Sequence, residues 1–70
     1  MNKSFDFPSG ILTVAKSRRK NQHTLKISFG SISIAVGYNY ETVRDRAFKD
    51  FDYRNALAVY NGMLNMTEEF

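Results

Sequence analysis

Apolar and polar positions alternate along the first half of the chain, then change rhythm near Tyr38. Leu12 and Val14, then Leu25, Ile27 and Phe29, then Ile32, Ile34 and Val36 recur every second residue. That period puts one set of side chains on one face of a strand and predicts three half-buried strands over about 11–16, 23–29 and 32–38. Beyond Tyr38 the spacing becomes three and four: Tyr40, Val43, Ala47 and Phe51, then Tyr53, Ala56, Leu57, Tyr60 and Leu64. Two amphipathic helices follow, over about 41–50 and 53–65. The second set restarts about one residue out of phase with the first, which is why a break is placed between them. Asp52 suits the N-cap of the second helix. A fourth strand over residues 42–48 is the alternative to the first helix.

The strand half also carries its register. Gly30-Ser31 suits a two-residue type II′ hairpin loop, because Gly adopts the positive φ that this turn needs at its first position. The loop pairs Phe29 with Ile32, Ile27 with Ile34 and Leu25 with Val36, so all six share one face. A four-residue loop Arg18-Arg19-Lys20-Asn21 before it places Val14 opposite Leu25 and Leu12 opposite Ile27. The result is a three-stranded antiparallel meander with one greasy face, covered by the C-terminal helices: a two-layer α+β fold. The other face carries Ile11, Thr13, Ala15, Thr24, Lys26, Ser28, Ser33, Ala35 and Gly37, and is flat because most of these side chains are small. Residues 1–9, with Phe5, Phe7 and Pro8, read as an extended N-terminal arm, since the residue before proline avoids helix.

Length makes this a small single domain. Seventy residues with no cysteine must be held by apolar burial without disulfides or a cysteine-bound zinc. Self-association as a homodimer would add burial to so thin a core. The absence of cysteine fits a reducing, cytoplasmic setting. The first eight residues lack the apolar stretch of a secretory signal, and no apolar run approaches the 18 residues of a membrane span.

Charge adds the most informative feature. Residues 1–35 hold six basic residues against one acidic, and residues 36–70 hold four against six. Lys16, Arg18, Arg19 and Lys20 fall within five positions, followed by Asn21, Gln22 and the single histidine, His23. Cations so clustered at a hairpin tip suit phosphate contacts, which release counterions. Asn21 and Gln22 have the donor–acceptor pair that reads adenine in the major groove. Lys26, and Lys3 further off, could add phosphate contacts, and Tyr38 could stack on an unpaired base. Lys16, Arg18, Arg19, Lys20, Asn21, Gln22, Lys26 and Tyr38 are therefore the candidate nucleic-acid-binding residues.

Catalysis is poorly provided for. His23 has no Ser or Asp at triad spacing and reads as a solvent-exposed strand-end residue, so no enzyme is expected. Asp50 and Asp52 are too few for a hard cation, and the isolated glycines form no phosphate-binding loop, so neither metal nor cofactor is implied. In outline, a three-stranded meander followed by a helix is similar to the small DNA-binding domains of tyrosine integrases and AP2-type plant factors, a likeness of element order only. It implies a sheet laid in the major groove. Two functions are thus expected to compete. One is a small non-catalytic nucleic-acid-binding protein using the basic loop. The other is a small protein-binding regulator or inhibitor of the phage, anti-CRISPR-like kind, acting on a larger nucleic-acid-processing protein.

Overall fold

A computed structural model describes residues 2–68, with side chains described for residues 2–65. Six elements follow one another: β1 (Asn2–Phe7), β2 (Gly10–Arg19), β3 (Gln22–Phe29), β4 (Ile32–Tyr38), α1 (Glu41–Asp50) and α2 (Tyr53–Glu68). The strands form one antiparallel sheet in the order β1-β2-β3-β4, an uninterrupted meander. The fold is α+β, as the change of period implied, and residues 42–48 are helical. The expected three strands become four. The stretch read as an arm is extended, but it pairs along β2 through a two-residue Pro8-Ser9 turn. Met1 of that stretch lies outside the described residues. Pro8 ends the strand and does not forbid it, because proline is tolerated at the boundaries of edge strands.

The β3–β4 register is the expected one, with Phe29 opposite Ile32, Ile27 opposite Ile34 and Leu25 opposite Val36. The β2–β3 register differs by two residues. Val14 faces Ile27 and Leu12 faces Phe29, because the loop is only Lys20-Asn21 and the strands continue through Arg18–His23 and Arg19–Gln22. A shift of two preserves the alternation, so every side chain keeps its face. The tighter turn gains ladder hydrogen bonds and forces Lys20 to φ 56°. Gly30 occupies the same position of the next hairpin at φ 61°, where glycine pays no Cβ penalty. In both loops only the first residue has positive φ, the pattern of a type II′ turn.

The helices cover the face carrying Phe5, Phe7, Leu12, Val14, Leu25 and Ile27. The buried set is Phe7, Leu12, Val14, Leu25, Ile27, Phe48, Ala56, Tyr60 and Met63. Aromatic rings knit β1 and β3 to α2: Phe7 stacks on Tyr60 with centroids 4.3 Å apart, and Phe29 meets Tyr60 edge-on at 5.2 Å. The Tyr60 hydroxyl shares a 3.0 Å hydrogen bond with Ser9 Oγ, which satisfies the polar end of a buried ring.

Helix α1 is turned about its axis relative to the expected stripe. Its buried residue is Phe48, with Arg44 one turn before it, whereas Tyr40 and Val43 are 68% and 48% exposed. Three cations explain the turn. Lys3 and Lys16 place their ammonium groups 5.0 and 5.4 Å from the Phe48 ring centroid. Arg44 donates to the Ser17 carbonyl at 2.8 Å and to Asp45 at 3.1 Å. Arg44 is thus half-buried against β2. Among the described residues, no helix is long and apolar enough to cross a membrane.

Candidate nucleic-acid interface

The β2–β3 ribbon outruns its neighbour on one side. Among the described residues the β1 partnership with β2 reaches the Asn2–Ala15 pair and leaves Lys16 to Arg19 beyond it, while β4 follows β3 as far as the His23–Tyr38 pair. Strand alternation then divides the basic run. Lys16 and Arg18 point to the helix side, Arg19 points to the open face beside Gln22, and Lys20 stands in the turn.

The cations of this half separate by what they touch. Lys3 donates to the carbonyls of Phe48 at 2.6 Å, Lys49 at 3.0 Å and Phe51 at 3.1 Å. All three ammonium protons are therefore spent on the C-terminal end of α1, where orphan carbonyls and the helix dipole favour a cation. Lys3 is committed to the fold. Lys16 lies 3.7 Å from an Asp45 oxygen and over the Phe48 ring, with its side chain 36% exposed. Arg18, Arg19, Lys20 and Lys26 are exposed and make no hydrogen bond or ion pair among the described residues.

The acidic groups lie elsewhere. Glu41, Asp45, Asp50 and Asp52 sit on or beside the helices, and Asp6 on β1 is the one acidic residue on the open face among the described residues.

Two open recesses flank the ribbon end. One, of about 400 Å³, lies along the open face and is lined by Arg19, Thr24, Lys26, Ser33 and Ala35 among others. The second, of about 610 Å³, collects Arg19, Lys20, Asn21, Gln22, Tyr38 and Asn39. Five of the eight residues proposed from the sequence thus surround one recess, Arg18, Arg19 and Lys26 share the other, and Lys16 is drawn away towards α1. Tyr38 is half-buried, with only part of its surface available.

Sequence reasoning missed two structural details of the site. Gly37 is the close approach: a Cβ there would overlap the Gln22 carboxamide, so the bare backbone lets Gln22 lie flat on the open face. A glycine inside an alternating strand was the available signal. His23, expected to be exposed, is half-buried opposite Arg18 and Tyr38, and its Nδ1 is buried with no hydrogen-bond partner among the described residues.

No protein-family model, curated protein or solved structure matches the chain. The functional reading therefore rests on this geometry.

Proposed function

We propose that this protein is a non-catalytic nucleic-acid-binding protein that meets phosphates with the end and open face of the β2–β3 ribbon. The observation that carries the reading is the division of cations. Among the described residues Lys3, Lys16 and Arg44 have protein partners, whereas Arg18, Arg19, Lys20 and Lys26 have none and lie on the β2–β3 ribbon; Arg46, Lys49 and Arg54, also without a side-chain partner, lie on the helices that carry Glu41, Asp45 and the neighbouring Asp50 and Asp52. Guanidinium groups pointing to both sides of a narrow ribbon suit a groove with a phosphate wall on each side. Asn21 and Gln22 stand at the tip, where base edges would be reached. The positive φ of Lys20 gives further support, because a bulky residue is kept where glycine costs less.

The test is a salt titration of binding to a short duplex and to a single strand. Four phosphate contacts give a log–log slope of roughly −3.6 on duplex DNA, or about a hundredfold loss of affinity between about 50 and about 200 mM salt. Replacing Arg18, Arg19 and Lys20 together by Gln is expected to reduce that slope to roughly −1, while Arg54→Gln on α2 leaves it unchanged. An unaltered slope in the triple variant overturns the proposal. So does capture from lysate of a protein partner that survives nuclease treatment, together with no affinity for bare nucleic acid; that outcome favours the regulator reading instead.

A further inference from the structure

The two edges of the sheet are treated very differently. β1 carries Lys3 and Asp6 and stops at Pro8, the charges and proline that discourage a foreign strand from adding on. β4 has the sequence Ile32-Ser33-Ile34-Ala35-Val36-Gly37-Tyr38, with no charge, no proline and no positive-φ residue. Its outer row of backbone donors and acceptors has no neighbour in the sheet. We infer that β4 is a dimerisation strand, on which a second copy of this chain pairs antiparallel about Ala35 to join two four-stranded sheets into one of eight.

The sequence of β4 is self-complementary in that register. Centred on Ala35, Ile34 meets the partner's Val36 and Ile32 meets the partner's Tyr38, all on the helix side. On the open side Ser33 meets the partner's Gly37, and Ala35 meets its own copy. Because both strands are the same strand, only such an even register puts both helix layers on the same side of the joined sheet. A slip of one residue would oppose Ile34 to Ala35 and set the helices on opposite sides.

The surface beside this edge is apolar and uncovered. Val36 is 39% exposed, and Ile32 and Ile34 are half-buried. Behind them an open recess of about 360 Å³ lies between β4 and the helices, lined mostly by apolar side chains such as Val36, Ala47, Phe51 and Val59, with Asp50 and Asn55 as its polar members on the helix side. Ala47 follows Val43 by four residues, so the exposed Val43 continues the same side of α1 one turn away. Of the helical stripe that the sequence marks for burial, Tyr40 and Val43 are left exposed, while Ala47 and Phe51 pack against the core. A neutral, twofold-matched edge with apolar flanks fits a copy of itself, and offers no charged group on the strand by which to select another partner. In this dimer Lys26, which faces Ala35 across β3–β4, would lie roughly 14 Å from the partner's Lys26, three strand spacings away. Dimerisation itself does not depend on the nucleic-acid reading.

Sedimentation equilibrium of the full chain, free of nucleic acid, from about 1 µM to about 1 mM tests the inference. The wild type is expected to dimerise in that range. Ala35→Lys, at an exposed position, is expected to weaken association at least tenfold with an unchanged circular dichroism spectrum, because two ammonium groups would meet at the dyad. A second arm uses the absence of native cysteine. Ala35→Cys is expected to give a covalent dimer on mild oxidation, and Ser4→Cys, on the opposite edge, to give no covalent dimer. A wild-type monomer throughout, association unaffected by Ala35→Lys, or equal cross-linking through Ser4→Cys would each overturn the inference.

Discussion

Single lysines do unlike work in this chain. Lys3 ties β1 to the end of α1 through three carbonyls and a ring face. Lys3→Met keeps much of the aliphatic stem and removes the donors, so it is expected to lower stability by about 1–2 kcal/mol, read by chemical denaturation. Lys20 instead sits at φ 56° with no side-chain partner among the described residues. Lys20→Gly is expected to raise stability by about 1 kcal/mol while weakening nucleic-acid binding, because it relieves the turn and deletes one phosphate contact. A variant that is stabilised but binds undiminished would remove Lys20 from the interface. Neither behaviour is visible in residue type, since all that distinguishes Lys3 from Lys20 is what the folded chain brings near it.

At the scale of elements, local chemistry set the boundaries well. Asp52 accepts from the Asn55 amide at 3.0 Å, and the Asn55 side chain accepts from the Asp52 amide at 3.1 Å, a reciprocal cap that starts α2 where the phase break put it. Asp52→Ala is expected to cost about 1 kcal/mol in thermal or chemical unfolding. The expected 41–50 and 32–38 coincide with α1 and β4 because capping, hairpin glycine and periodicity are all short-range signals. β1 was harder to read. The alternation of Lys3, Phe5 and Phe7 was present, but its strand character depends on β2 lying alongside. The four-residue loop was also an overestimate, since ladder bonds from Arg18 and Arg19 outweigh the strain at Lys20.

Across the whole molecule, charge is divided between the layers: among the described residues the sheet and its turns carry Lys3, Lys16, Arg18, Arg19, Lys20 and Lys26 against Asp6 alone, while the other acids lie on or beside the helices together with Arg44, Arg46, Lys49 and Arg54. That separation supplies a directed field for a polyanion, where a net charge of +3 alone would give a weak one. The candidate site was legible as a basic run, yet the run does not act as a unit. Alternation sends Arg18 and Arg19 to opposite faces, and α1 takes Lys16 out of the set. From the sequence alone came the two layers, the greasy sheet face, the β3–β4 register and the hairpin carrying the cations, because period and turn chemistry act between near neighbours along the chain. Tertiary structure alone decided which cations are occupied, how α1 is turned over Phe48, and that β1 and β4 form the two edges of the sheet. Those depend on groups brought together from positions as far apart as Lys3 and Phe48, whose meeting no local pattern encodes.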